Sequence, residues 1–309
     1  MAAEPIPAAR AVAMLPRRPW AVSPVLADYW ALTKPEVNFL IAITTGAAFS
    51  IASPAGRSPF PWVALANTLL GTALVASGAA TLNQWMERRF DARMRRTARR
   101  PIVAGRIRPD RALRFGTLLS LAGTAYLALA VGLLPSLLAA ATLSSYLFLY
   151  TPAKRATPLC MLIGAVPGAL PPLIGWAAAR GRLDPEAWVL FGIVFLWQFP
   201  HFMAIAWMYR EDYDRAGYQV LPRGRARARF ATLQTLLPLL ALLPLSVLPA
   251  LAGEASPFYG AGALLLGLGF LYWGARFTLR RSGPAARHLL MASIVYLPAL
   301  VTLMILPRG

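Results

Sequence analysis

Residues 83 to 101, NQWMERRFDARMRRTARRP, hold two acids and seven arginines in nineteen positions. Asn83, Glu87 and Asp91 recur at every fourth position. A helix turning about 100° per residue drifts only about 40° over each such step, so a continuous helix keeps all three on one stripe. An oxygen-only array with no His or Cys beside it suits a hard cation such as Mg²⁺, which is usually held by one or two carboxylates together with phosphate oxygens. The arginines that follow, Arg96 and Arg100 among them, offer planar forks to the oxygens of a diphosphate. The same residue types also make an ordinary membrane-proximal loop, in which acids pair with nearby arginines and arginines meet anionic headgroups.

Scarcity favours the chemical reading. The chain has only twelve acids, and five of them fall in this stretch and in YREDYDRAGYQVLP at 209–222, which contains Glu211, Asp212 and Asp214. Just before that second cluster, His201, Ile205, Met208 and Asp212 fall at i, i+4, i+7 and i+11. One unbroken helix would make them a single stripe of about 16 Å, with His201 beneath the acids. There His201 can serve as a general base, a hydrogen-bond partner or a haem contact, or it can be a satisfied core residue. His288 reads as interfacial.

The elements that must position these residues are membrane spans. Of 309 residues 58% are hydrophobic and 14% charged, too apolar for a water-soluble domain of ordinary composition. Apolar runs near the roughly 20 residues that cross a bilayer occur at about 37–52, 61–86, 113–132, 134–150, 159–179, 185–208, 230–252, 256–277 and 288–306. The third and fourth nearly merge. Placing the N-terminus in the cytoplasm puts 27 of the Lys and Arg residues on the cytoplasmic side and 4 opposite, the asymmetry of the positive-inside rule. The net charge of +19 is therefore topology rather than a nucleic-acid surface. Both acidic clusters then open on the cytoplasmic side.

The remaining features are structural. Cys160 alone forms no internal disulfide and reads as core packing. Residues 1–29 read as a flexible cytoplasmic tail and 30–309 as one transmembrane domain. VPGALPPLIG at 166–175 is expected to break the fifth span, as membranes tolerate where neighbours satisfy the freed backbone groups. GAGALLLGLG at 260–269 reads as close helix packing.

Asn83, Glu87, Asp91, Met94, Arg96, Thr97, Arg100 and Pro101 together resemble the N-x3-E-x3-D-x2-M-x-R-T-x2-R-P signature of the protohaem IX farnesyltransferase (haem O synthase) family of UbiA-type intramembrane prenyltransferases. LTKPEV at 32–37, YTPAKRATP at 150–158, GAVPGALPPLIGW at 164–176, WQFPHF at 197–202 and YREDY at 209–213 are similar to the same family, in the same order. The resemblance implies a nine-helix bundle in a bacterial inner membrane with its site mouth on the cytoplasmic side. It implies transfer of a farnesyl group from farnesyl diphosphate to a vinyl group of haem b, with Mg²⁺ as cofactor. On this resemblance Asn83, Glu87 and Asp91 are the first metal motif, Asp212 the core of the second with Glu211 as a further candidate, and Arg96, Arg100, Lys154 and Arg155 the basic partners of the diphosphate. His201 is the candidate for placing a water. Haem A synthase or terminal-oxidase assembly is the implied protein partner.

The second motif departs from the D-x3-D of many UbiA relatives, because position 216 is Ala and position 208 is Met. Three other readings stay open on the residues alone: a UbiA-type enzyme with an aromatic or quinone-precursor acceptor, a membrane transporter, and a respiratory-chain assembly protein. A transporter more often places ionisable residues mid-span, whereas here they gather at span ends.

Overall fold

The computed structural model describes residues 23–53 and 59–306. Most of the segment read as a tail, residues 1–22, lies outside the described residues, as do Arg57 and Arg308.

A short helix, α1 (Pro24–Leu32), precedes the long ones, so its first turns fall inside the segment read as tail. Nine membrane-length apolar helices follow among the described residues. They are α2 (Pro35–Ala52), α3 (Trp62–Asp91), α4 (Pro109–Ala130), a composite fourth span, α7 (Cys160–Arg180), α8 (Pro185–Met208), α10 (Ala226–Leu251), α11 (Pro257–Arg280) and α12 (Gly283–Ile305). The fourth span runs as α5 (Leu133–Ser144), a π-helical turn (Ser145–Tyr150) and α6 (Thr151–Ala156). A short helix α9 (Arg210–Ala216) follows α8. The chain is an all-α, multi-pass membrane protein.

Local chemistry sets the boundaries. Proline occupies the first or second position of α1, α2, α4, α6, α8, α11 and α12, where its missing N–H costs nothing. Ser256 and Ser282 cap α11 and α12 by accepting from Tyr259 N and Ala285 N at 3.2 and 3.3 Å. The third and fourth spans separate at Gly132, whose φ of 153° is a conformation open to glycine and not to side-chain-bearing residues.

Helix approach depends on small residues, as expected where lipid is as apolar as leucine. At Gly78 of α3 an added Cβ would lie 2.7 Å from Ser120 N and 2.8 Å from Gly116 O of α4. Gly175 of α7 lies against the Thr45 carbonyl of α2, where any Cβ would collide. In GAGALLLGLG the same holds for Gly262 against Leu303 and Gly267 against Leu243. Helices α3 and α4 pack along their lengths, α2 touches α3, α7 and α12, and α8 packs on α7, α10 and α12.

Two expectations are corrected here. The fifth span is not broken: α7 runs continuously through Pro167, Pro171 and Pro172. Its small residues let neighbours close around it, with Tyr150 against Gly164 and Gln198 against Gly168, and Gln198 Nε2 donates to Ala165 O at 3.0 Å. The stripe from His201 to Asp212 does not exist as one helix. Helix α8 ends at Met208, the chain turns at Tyr209 (φ −108°, ψ 20°), and Asp212 belongs to α9.

Candidate active site

The last two turns of α3 carry Asn83, Glu87 and Asp91, all buried although charged or polar. The helix runs to Asp91, one full turn past the end of the apolar run, and this extension carries both carboxylates to the end of the bundle. Asn83 Nδ2 donates to Thr151 Oγ1 at 3.1 Å, and Thr151 Oγ1 donates to Tyr146 O at 2.8 Å inside the π-helical turn. That leaves Asn83 Oδ1 as the acceptor on the stripe.

Glu87 and Asp91 each meet one cation and keep one oxygen apart from it. Glu87 Oε1 accepts from Lys154 Nζ at 2.6 Å and from the Tyr218 hydroxyl at 2.9 Å. Asp91 Oδ2 accepts from Arg100 at 2.5 Å, while Asp91 Oδ1 is buried without any hydrogen-bond partner. A buried carboxylate oxygen left bare is costly, and such an exception calls for a ligand. The loop beyond α3 is tied down by Thr97 Oγ1, which donates to Asp91 O at 2.8 Å.

Lys154 comes from α6, and its ammonium also lies 4.7 Å from the centre of the Tyr150 ring. The π-helical turn just before it sets that direction, since π turns shift register by one residue and recur at functional sites. The loop after α9 folds over the same place: Gln219 N donates to Lys154 O at 2.7 Å beside Tyr218.

A further cation stands here that sequence reasoning did not assign. Lys34, the residue between α1 and α2, has a left-handed backbone (φ 51°, ψ 65°), uncommon for a residue with a side chain. It is only partly exposed. Burial, then the charges of Arg100 and Lys154, lower its ammonium to about 7, against the opposing pull of Glu87 and Asp91. The junction is held on α3, because Gln84 Nε2 donates to Leu32 O at 2.8 Å and Asn38 Nδ2 to Ser77 Oγ at 2.7 Å. The signal available in the sequence was the Lys-Pro pair of LTKPEV. Tyr218, whose hydroxyl pKa is raised by burial and by Glu87, was equally unassigned.

The other candidates are placed differently. Asp212 accepts from Arg95 N and Arg96 N at 3.3 and 3.2 Å and from Arg215 at 3.2 Å, so it clasps the loop after α3. Glu211 is 77% exposed at its side chain and faces Arg210 at 3.5 Å. Arg96 and Arg155 are exposed and lie over the rings of Tyr209 and Phe90 at 5.0 and 4.9 Å. His201 sits between α8 and α12, stacked 4.7 Å from Trp197 and 2.8 Å from Ser293 Oγ through Nδ1. Ser293 Oγ gives its single hydrogen to Leu290 O at 2.5 Å. It must therefore accept from His201 Nδ1–H, which leaves Nε2 as a lone-pair acceptor. His288 is exposed against Trp273.

The donor set suits a hard cation at the first motif. Asn83 Oδ1, the second oxygen of Glu87 and bare Asp91 Oδ1 are all oxygens, as Mg²⁺ requires. Among the described residues no three His, Cys, Asp or Glu side chains converge closely enough to enclose a metal. The protein side therefore fits an ion that completes its shell with water and ligand phosphate, the usual habit of Mg²⁺. As it stands Asp212 does not fit, since both its oxygens are engaged.

An intramembrane prenyltransferase is the class that this bundle and its acid-and-cation end define: residues 40–295 match the UbiA prenyltransferase family, and the chain belongs to it. Among curated relatives, a protoheme IX farnesyltransferase from Solibacter usitatus is 49% identical over 91% of this chain and 98% of its own length. Proteins of the same name from Salinibacter ruber and Opitutus terrae are 44% and 42% identical over 91% of the chain, covering 98% and 94% of theirs. Solved structures share the fold at lower identity. A digeranylgeranylglyceryl phosphate synthase superposes with a TM-score of 0.74 at 16% identity, covering 92% of this chain and 98% of that one. A UbiA homolog from Archaeoglobus fulgidus bound to GPP and Mg²⁺ gives 0.61 at 15% identity, covering 90% and 99%.

Proposed function

We propose that this protein transfers the farnesyl group of farnesyl diphosphate to a vinyl group of haem b, giving haem O and diphosphate. The reading rests on relatives of that name at 42–49% identity over most of both chains. The single structural observation that carries it is the bare, buried Asp91 Oδ1 within a cluster that also holds Glu87, Lys154, Arg100 and Lys34. More cations than carboxylates meet at this point, as an anionic leaving group needs.

In the forward step the C1–O bond of farnesyl diphosphate breaks, C1 bonds to the terminal vinyl carbon, and the resulting haem-side cation takes up water and loses a proton. Mg²⁺ held by Asn83, Glu87 and Asp91 would offset charge on the diphosphate when bound. Arg100, Lys154 and Lys34 are pre-positioned for the negative charge that grows on the departing group, and fixed donors of this kind need no reorganisation during the reaction. Arg96 and Arg155, stacked and exposed at the rim, act as the outer cations that receive the diphosphate. Asp212, with Glu211 beside it, contributes to a second metal only after Asp212 releases the Arg95 and Arg96 amides.

The apolar helices keep water from the allylic cation. One cavity between α2, α7, α8 and α12, lined by Thr44, Pro172, Val194, Leu297 and Met304 among others, measures about 20 Å³. A fifteen-carbon chain requires far more, so on this reading prenyl binding parts the helices or their side chains, at a cost that burial of the chain at roughly 0.8 kcal/mol per CH₂ offsets. His201 Nε2, the acceptor that the bond to Ser293 leaves open between α8 and α12, is suited to orient the water that hydrates the haem-side cation. The whole of 30–309 acts as one domain in a bacterial inner membrane, N-terminus and site mouth in the cytoplasm, as the basic loops favour. Haem O passes to haem A synthase or to an oxidase under assembly.

The test is mass spectrometry of products from the purified protein with haem b, farnesyl diphosphate and Mg²⁺. Haem O is expected. Diphosphate release with an aromatic acceptor and never with haem b would sink the haem assignment and leave the prenyltransferase standing.

A further inference from the structure

A groove of about 840 Å³ lies between α1 and the start of α4, lined by Leu26, Ala27, Tyr29, Trp30, Thr33 and Phe115, none of them assigned to the reaction site. Its volume falls within the roughly 300–1,000 Å³ of clefts that bind small molecules. The walls are almost wholly apolar, and the Tyr29 and Phe115 rings meet edge to face at 4.9 Å. Helix α1 shows its carbon surface outward rather than inward, with Val25, Leu26 and Trp30 at 59%, 63% and 66% exposure. Leu32, which closes the helix, is fully buried against Ile102, Ile107 and Ala112. The helix is thus fixed to the body of the protein at one end and offers an apolar trough at the other. Its height is set by the bond from Gln84 to Leu32, near the end of α3 where the spans leave the hydrocarbon. Exposed Trp at that level is an interfacial anchor.

The neighbouring charge is basic. Arg106, Arg108, Arg111 and Arg114 lie in the strand of chain that leads to Phe115 and in the first turns of α4, with only Asp28 and Asp110 among them. Both acids are already engaged: Asp28 accepts from Arg106 at 2.9 Å, and Asp110 from Arg108 and Arg114 at 3.1 and 3.0 Å. Arg111 lies one helical turn before Phe115, exposed and in no ion pair among the described residues. The Arg108 and Arg114 side chains are 71% and 76% exposed.

We infer that this groove is a binding site for an anionic phospholipid, one acyl chain lying along Trp30 and Phe115 and the phosphate meeting Arg111 and Arg114. Apolar walls alone would take any lipid. The excess of arginine over acid selects the anionic headgroup, since each basic residue near a membrane surface contributes about 1 kcal/mol to that attraction. Arginine also forks onto phosphate oxygens while its carbon stem covers apolar surface. The groove ends at Thr33, next to Lys34, so the bound lipid buttresses the junction that carries the site cation.

The purified full-length protein in detergent is titrated with phosphatidylglycerol and, separately, with phosphatidylcholine of the same chains, and bound lipid is counted by native mass spectrometry. Phosphatidylglycerol is expected to bind about tenfold tighter. Arg111→Glu with Arg114→Glu brings the two lipids level, Trp30→Asp removes both, and Trp30→Phe, which keeps the apolar wall, retains both. A wild-type-like melting curve for each variant shows that the body of the protein is intact. Equal affinity of the two lipids for the wild type overturns the headgroup selection. Undiminished binding to Trp30→Asp, or displacement of the phospholipid by farnesyl diphosphate at equal concentration, overturns the site.

Discussion

The two acidic clusters of this protein use the same residue types to different ends. Glu87 and Asp91 stand on the last turns of a thirty-residue helix, buried, each gripped by one cation, with Asp91 Oδ1 bare. Asp212 stands on a seven-residue helix and spends its oxygens on two backbone amides and Arg215, while Glu211 is exposed and Asp214 pairs with Arg227 at 3.0 Å. The long helix presents lone pairs to a ligand. The short one fastens the loop that follows the long helix. A long, packed helix holds a charged group where it is not satisfied, whereas a short helix set against a loop turns its charged groups onto that loop and pairs them.

That contrast is sharpened most by removing charge at the first cluster. Glu87→Gln and Asp91→Asn are each expected to lower the rate of haem O formation by about 10²–10³-fold, the scale of losing one pre-organised electrostatic partner, with the folded protein still present by size-exclusion chromatography. Asp212→Asn tests the other side of the comparison. It keeps one acceptor oxygen for a loop amide but loses the charge, so turnover should fall about tenfold and stability by about 1–2 kcal/mol, seen as a lower melting temperature. A fall at Asp212 as deep as at Asp91, without any change in melting, would make the two clusters equivalent ligands and end the distinction.

Lys34 provides a pH signature. Its folded value of about 7 lies below the 10.5 of an ordinary lysine, so between those limits the unfolded chain binds more protons and this group makes stability rise with pH. A bound anion reverses the shift by favouring the ammonium. Binding of inorganic diphosphate at pH 8 should then take up about one proton at this site, measured by calorimetry in buffers of different ionisation enthalpy. Lys34→Met should abolish that uptake, and an unchanged uptake would remove Lys34 from the site. The smallest effect is expected at Glu211→Gln, less than about twofold in turnover, as usual for an exposed surface group.

Much of this was legible in the chain itself. The nine spans could be counted because a bilayer demands long apolar runs whose backbone bonds close internally. The four-residue spacing of Asn83, Glu87 and Asp91 predicts a shared face because helix geometry is fixed. The extension of α3 to Asp91 follows the same rule. The register from His201 to Asp212 failed for a local reason: periodicity assumes an unbroken helix, and the turn at Tyr209 leaves no mark in hydropathy. The prolines of α7 misled in the opposite sense, since the neighbours that sustain the helix belong to distant parts of the chain.

The sequence by itself determined the class of solvent, the number of spans and the residue types gathered at their ends, because each is a property of a contiguous segment. Tertiary structure alone decided which oxygen of which carboxylate stays free, that Lys34 and Tyr218, 184 residues apart in the sequence, both join Glu87, and that Asp212 braces a loop. Those outcomes depend on distances between side chains more than 50 residues apart, set by helix packing at glycines such as Gly78 and Gly175. No local pattern encodes them.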